Sequence, residues 1–282
     1  MGELVLITGT SSGIGLATAV ECAAAGHRVV ATLRNLDKRG ALEKAAKERG
    51  VRIDVEQLDV THEGAGAKVR ELILKYGPFY ALVNNAGVAV AGAFEEQSEE
   101  DVREQFETNV FGLMAVTRAV LPTMRAAGRG RIINVSSVSG RLTFPLLAAY
   151  GATKHAVEGF AEGLRWEVEP FGVEIVNVEP GMVKTPIYTE NQRRGALVEK
   201  AGPYAAMNQR VEEIILADVE KAGPPEEVGA AIARLVTEPS PPFRVVIGTD
   251  ARTLVTLRRL LPDRLFSMGM RRVLRKKKGL GP

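Results

Sequence analysis

Tyr150 and Lys154 put a phenol and an ammonium four residues apart near the start of a predicted helix, with Ser137 thirteen residues upstream. At that spacing the two side chains share one helical face. A neighbouring ammonium favours the phenolate and lowers a pKa that is about 10 when unperturbed. A tyrosine tuned in this way can give a proton to a carbonyl oxygen or take one from an alcohol. Standing alone, the pair would read equally as a packed ring and a solvated amine, so its meaning depends on the rest of the chain.

A second group with chemical capacity is Thr8-Gly9-Thr10-Ser11-Ser12-Gly13-Ile14-Gly15. It follows the apolar run Leu4–Ile7 and opens a predicted helix from Ile14 to about Ala25. Backbone amides and the positive helix end can hold a pyrophosphate there, and glycines allow close backbone approach. The glycine spacing is GxxxGxG rather than GxGxxG, so the general dinucleotide fingerprint is met in part. The next predicted strand ends in Thr32-Leu33-Arg34-Asn35. No acid stands there to bind ribose hydroxyls, and Arg34 offers a planar fork that suits a 2′-phosphate. Hydroxyls of Ser11 and Ser12 can add to the same contact. A solvated strand-end charge is the plain alternative for Arg34.

These residues require a scaffold of alternating strands and helices. Strands are predicted at Leu4–Ile7, Val29–Leu33, Arg52–Leu58, from Ala81, at Arg131–Val135, Glu174–Val178 and Phe243–Ile247. Helices are predicted between them, two of them long, at roughly 99–127 and 148–170. Such alternation is the signature of a doubly wound, Rossmann-type parallel sheet of about seven strands, an α/β fold with helices on both faces. No linker or repeat divides the body, which reads as one domain over residues 1–251. The stretch 186–222 interrupts the alternation with helical pattern and is expected to form a substrate lid.

The single cysteine, Cys22, excludes an intrachain disulfide and reads as a small buried hydrophobe. The opening apolar run, Leu4–Ile7, is four residues long, too short for a secretory signal or a membrane span. A cytoplasmic setting is therefore expected. The net charge of +3 conceals an asymmetry, because residues 252–282 carry ten Lys or Arg against Asp263 alone, leaving residues 1–251 at −6. This basic tail breaks at Pro262 and resumes with Phe266, Met270, Val273 and Leu274 on one side. Peripheral contact with an anionic membrane surface, docking on the acidic body, closure of the site, oligomer contact and a solvated tail are all consistent with it.

With these residues in place the chain resembles the short-chain dehydrogenase/reductase family, in its compact single-domain branch, over roughly residues 3–250. Seven spaced elements occur in the family's order: Thr8 to Gly15, Asp59-Val60, Asn84-Asn85-Ala86-Gly87, Asn109, Ser137, Tyr150 with Lys154, and Pro180-Gly181 followed by Thr185. The stretch after the second strand and the insertion after Thr185 look most like the 17β-hydroxysteroid and retinol dehydrogenase group. The resemblance implies that Asp59 and Val60 meet the adenine, and that Asn85-Ala86-Gly87 line its ribose while Asn84 props the sheet. Pro180, Gly181, Val183 and Thr185 would close over the nicotinamide, and Asn109 would kink its helix and hold a proton-relay water.

The implied reaction is hydride transfer between a carbonyl and an alcohol, with NADP(H) preferred over NAD(H) because of Arg34. Ser137 would hold the carbonyl oxygen, Tyr150 would act as acid and base, and Lys154 would tune Tyr150 and hold a ribose. Ser137 is preferred to Ser136 because it alone matches the family interval to Tyr150. Phe144, Leu147, Met182 and Tyr188 predict an apolar pocket and hence a lipophilic ketone, aldehyde or alcohol. Neither a metal nor a nucleic-acid partner is expected, and the two long helices resemble those that build family dimers and tetramers. A nucleotide-sugar epimerase or dehydratase is the competing enzyme, and a non-catalytic NADP(H) sensor or adaptor is the competing binder.

Overall fold

In the computed structural model, which describes residues 2–186, 193–198 and 202–276 with side chains through Arg272, seven strands form one parallel sheet. They are β1 (Leu4–Thr8), β2 (Arg28–Leu33), β3 (Asp54–Gln57), β4 (Ala81–Asn84), β5 (Gly130–Val135), β6 (Val173–Pro180) and β7 (Arg244–Ile247). Their order across the sheet is β3-β2-β1-β4-β5-β6-β7. The order reverses between β1 and β4, and the crevice outside the carboxyl ends of strands at such a switch point is where open α/β sheets bind ligands.

The sheet holds because its strands are apolar on both faces. Val5, Ile7, Val29, Ala31, Val83, Ile133 and Val176 face one layer, whereas Leu6, Val30, Leu82, Ile132 and Ile175 face the other. The first layer is covered by α1 (Gly13–Ala24) and α2 (Gly40–Arg49), the second by α3 (Ala65–Tyr76). Cys22 lies in the first layer at 0% exposure, and burial pushes its thiol up to about 12, so it behaves as the small hydrophobe expected.

The long helix predicted at 99–127 is interrupted. Helix α4 (Glu99–Phe106) passes through a π-helical turn, Glu107–Gly112, into α5 (Leu113–Ala127). A single-turn π segment of this kind is frequent at functional sites, and it carries Asn109. Helix α6 (Ala148–Val168) runs unbroken. The 186–222 stretch differs from expectation. Arg193–Arg194 forms a two-residue strand paired with Val90–Ala91, and only α7 (Ala205–Glu220) is helical among its described residues. Helix α8 (Pro225–Thr237) then packs against α1.

The tail is two further helices, α9 (Thr249–Leu260) and α10 (Asp263–Lys276), so the expected boundary after residue 251 falls inside α9. Gly181 makes this possible, because a Cβ there would stand 2.8 Å from the Ala251 Cβ.

Glycines near the switch point differ in what they tolerate. A Cβ on Gly15 would lie 2.2 Å from Asn85 Nδ2 and 2.3 Å from the Gly9 carbonyl oxygen, whereas a Cβ on Gly40, in helical conformation, meets nothing within 4 Å. Thermal melts of the two alanine variants should therefore move oppositely. Gly15→Ala is expected to destabilise by about 1–3 kcal/mol, and Gly40→Ala to stabilise by about 0.4–1 kcal/mol.

Candidate active site

The loop after β1 is shaped by backbone contacts. Gly9 and Gly13 have φ of 70° and 56°, which a side chain would strain. Asn85 donates from Nδ2 to the carbonyls of Thr8 and Gly9, at 2.9 Å each, pinning the loop to the end of β4. The close fit at Gly15 thus serves this internal bond. Ser12 precedes α1 without a side-chain cap bond, leaving first-turn amides open to an anion. Ser11, Ser12 and Ile14 are half-buried around them.

The rest of a dinucleotide groove is present. Arg34 is exposed just beyond β2, and its guanidinium has no hydrogen-bond or ion-pair partner among the described residues. Asp59 accepts from the Thr61 backbone amide at 3.0 Å and its hydroxyl at 2.7 Å through one oxygen, leaving the other for a donor such as an amino group. Val60 is buried against Gly112 at the end of the π turn. Thr185 lies over the loop, with its side chain 3.3 Å from where a Gly13 Cβ would stand. Gly181 donates its amide to Ile247 at 2.8 Å beside Pro180, and Val183 bridges to Gly223. Positive-φ glycines, an uncapped helix start and an unpartnered arginine fit a phosphorylated dinucleotide.

The residues predicted to transfer protons meet at the carboxyl end of β5. Ser137 caps the short turn Val138–Gly140, its Oγ accepting the Ser139 amide at 3.0 Å. Tyr150 sits in the first turn of α6, and Lys154 follows with Nζ 5.7 Å from the tyrosine ring centroid. Lys154 is buried, and Nζ donates to the Val135 carbonyl at 2.9 Å. Desolvation lowers its pKa to about 8, opposed by the Glu158 carboxylate one turn on. Asn109 clasps Val88, accepting its amide at 2.8 Å and donating to its carbonyl at 2.9 Å, and donates to Thr153 Oγ1 at 3.0 Å. Both amide hydrogens of Asn109 are thus committed to protein. A Cβ on Gly87 would lie 3.3 Å from Asn109 Oδ1 and 3.9 Å from Lys154 Nζ, so the Asn85-Ala86-Gly87 segment borders Asn109 and Lys154.

Three features were missed by sequence reasoning. Thr153 Oγ1 donates to the Tyr150 carbonyl at 2.7 Å and ties α6 to Asn109; its place between Tyr150 and Lys154 was the available signal. Asn84, Asn134 and Asn177 form a buried ladder across β4, β5 and β6 with 3.0 Å amide bonds, in which Asn84 does prop the sheet. Behind the site, buried Glu158 and Glu179 pair with half-buried Arg141 and Arg244, and no helical or strand periodicity announces that group.

A cleft of about 1530 Å³ opens beside Ser137 and Tyr150. Phe144, Leu147 and Met182 line it as expected, joined by Ile214 and Ile215 of α7 and by Leu254 and Met270 of the tail. Tyr188, the remaining expected pocket residue, lies outside the described residues. The arrangement can hold a carbonyl oxygen between two hydroxyls and deliver a proton to it in apolar surroundings.

Comparison with known proteins agrees with this geometry. The short chain dehydrogenase family profile matches residues 3–195. The oxidoreductase YusZ of Bacillus subtilis is 38% identical over 264 residues, covering 92% of this chain and 94% of its own. A 3-ketodihydrosphingosine reductase of Bacteroides thetaiotaomicron is 36% identical over 270 residues, covering 95% and 97%. Bovine retinol dehydrogenase 8 is 34% identical over 268 residues, covering 92% and 86%. A crystal structure of a short-chain dehydrogenase from Streptomyces avermitilis superposes with a TM-score of 0.79 at 34% identity, covering 98% of each chain.

The buried lysine gives a pH test. Its folded-state pKa is depressed, so the unfolded chain binds the extra proton from about pH 8 up to the ordinary lysine range, and stability rises with pH there. Lys154→Met lacks this term. Its melting temperature relative to the wild type should therefore fall as pH rises from about 7 to about 9.5; a difference independent of pH would show that Lys154 titrates as a solvated lysine.

Proposed function

This chain belongs to the short-chain dehydrogenase family of oxidoreductases, whose fold binds a nicotinamide cofactor, and within that family we propose that it interconverts a carbonyl and an alcohol on a lipophilic substrate using NADP(H). The observation that carries the reading is Tyr150 one helical turn from buried Lys154, with Ser137 and Tyr150 lining the same apolar cleft. The reduced cofactor, when bound, supplies the hydride. The chain's own residues supply position and protons. Ser137 Oγ and the Tyr150 hydroxyl hold the carbonyl oxygen, and Tyr150 protonates it as negative charge develops. In the alcohol direction Tyr150 takes the proton.

Lys154 is expected to keep the phenol acidic and to hold a ribose hydroxyl, while Asn109 fixes the Val88 segment and α6 around the proton path. Gly9, Ser11, Ser12, Gly13, Ile14 and Gly15 would hold the pyrophosphate, with Asp59, Val60, Asn85, Ala86 and Gly87 along the adenosine. Pro180, Gly181, Val183 and Thr185 would close on the nicotinamide side, and α7 would act as the lid. Support for a lipophilic substrate comes from Phe144, Leu147, Met182, Ile214 and Ile215 in the cleft wall, and from the sphingoid and retinoid names of two relatives. Support for the 2′-phosphate comes from unpartnered Arg34 and the absence of an acid at the end of β2. Exposed Phe111 and Trp166 on the long-helix side support a homodimer or homotetramer.

Purified protein assayed with NADPH and NADH side by side, across steroid, retinoid, long-chain and small polar carbonyl compounds, tests the reading. NADPH-selective turnover of a lipophilic class is expected; tight cofactor binding with no turnover of any carbonyl would overturn it. Tyr150→Phe should lower kcat by about 10²–10⁴-fold while NADPH still binds, and retained turnover would remove Tyr150 as proton donor. Arg34→Ala should weaken NADPH about 10–100-fold, the worth of a charge-assisted contact. Its effect on NADH should be small, and equal losses would refute the 2′-phosphate assignment.

A further inference from the structure

The tail has two unlike faces. On the inner one, Phe266 of α10 packs with Val138, Leu142 and Phe144, while Met270, one turn on, lines the cleft. Arg258 pairs with Asp263 at 2.5 Å and fixes the turn between α9 and α10. On the outer face, Arg264, Leu265, Met268, Arg271 and Arg272 lie within about 120° on a helix of 100° per residue. Leu265 is 49% and Met268 63% exposed, and Leu257 and Leu260 at the end of the neighbouring α9 are themselves 42% and 72% exposed.

The charges on this face are unpaired among the described residues. Arg259, Arg264, Arg271 and Arg272 have no ion-pair or hydrogen-bond partner among the described residues, although residues 1–251 carry a net charge of −6. A tail docked on the body for charge neutralisation would have turned these cations inward. Instead they point outward among exposed leucine and methionine. A nucleic acid or an acidic protein would use the cations but leave the apolar side chains wet, whereas an anionic lipid surface takes both.

We propose that the outer face of α10, with the end of α9, rests on an anionic membrane surface and holds the mouth of the cleft at the lipid boundary. The lipid contact is independent of the proposed reaction. Entry of a lipophilic substrate past Leu254 and Met270 rests on that reading.

The test is co-sedimentation of the intact protein with phosphatidylcholine vesicles, with and without phosphatidylserine, at low and high salt. Binding should require phosphatidylserine and weaken with salt. Arg271→Ala with Arg272→Ala should reduce it about thirtyfold, at about fivefold for each cation. Leu265→Asp with Met268→Asp should abolish it. All four positions lie away from the cleft, so turnover of a water-soluble carbonyl should be unchanged, which separates failure of the surface from failure of the reaction. Absence of vesicle binding, binding indifferent to phosphatidylserine, or binding unmoved in both double variants would overturn the proposal. So would sedimentation showing that Leu265→Asp with Met268→Asp dissociates an oligomer, which would make this face a contact between copies of the chain.

Discussion

A buried ammonium is unfavourable unless polar groups replace the water it loses, and Lys154 lives under that constraint. At 7% exposure it keeps one backbone carbonyl, Val135, and one carboxylate a turn away, Glu158. Burial disfavours the charged lysine and the carboxylate favours it, which leaves its pKa lowered to about 8. The balance leaves a proton that is held but not tightly, next to a tyrosine ring. Much of the surrounding architecture can be understood as keeping water out of that place without removing its polar partners. Asn109 closes one side by clasping Val88, and Thr153 locks it to α6. The π turn presents Asn109 to this cluster, with its side chain buried rather than on the helix surface.

The crevice between β1 and β4 obeys a different constraint, the close approach of backbones. Gly9 touches Ala86, and Gly15 leaves space for Asn85. Asn85 then supplies both amide hydrogens to the loop's own carbonyls. The loop after β1 is therefore held by protein bonds of its own, which lowers the ordering cost of any binding there.

Much of this was legible in the sequence, for reasons particular to each part. Strands apolar on both faces bounded by glycines, as at Leu4–Thr8 and Arg28–Leu33, announce a buried parallel sheet because nothing else buries such runs. The pairing of Tyr150 with Lys154 was readable because it is local to one helix. What escaped was long-range or cancelled by averaging. A π turn adds one residue to a helix whose apolar pattern continues on both sides, so Glu99–Ala127 reads as one periodic stretch. The ladder Asn84–Asn134–Asn177 exists only through strand register. Charged residues such as Glu158 and Arg141 read as surface until the fold encloses them. The tail's docking depended on a missing side chain at Gly181, which a sequence shows only as a glycine before a turn.

The buried ionic group behind the site explains how separate elements are held in one geometry. Arg141 follows the turn that presents Ser137, and Glu179 precedes Pro180-Gly181. Glu158 lies one turn beyond Lys154, and Arg244 opens the last strand, which leads into the tail. Arg141 meets Glu179 at 3.2 Å, while Arg244 reaches Glu158 at 2.9 Å and Glu179 at 3.5 Å. Burial, with Glu158 nearby, raises the Glu179 carboxyl above its ordinary range despite both arginines. Such a group is poor evidence for net stability, since burying the two carboxylates costs about as much in desolvation as their pairing returns. Its four members are useful for another reason. Moving these elements apart would leave a buried carboxylate without its arginine, so the turn that presents Ser137, helix α6, the Pro180-Gly181 segment and the strand leading into the tail are confined to a common register.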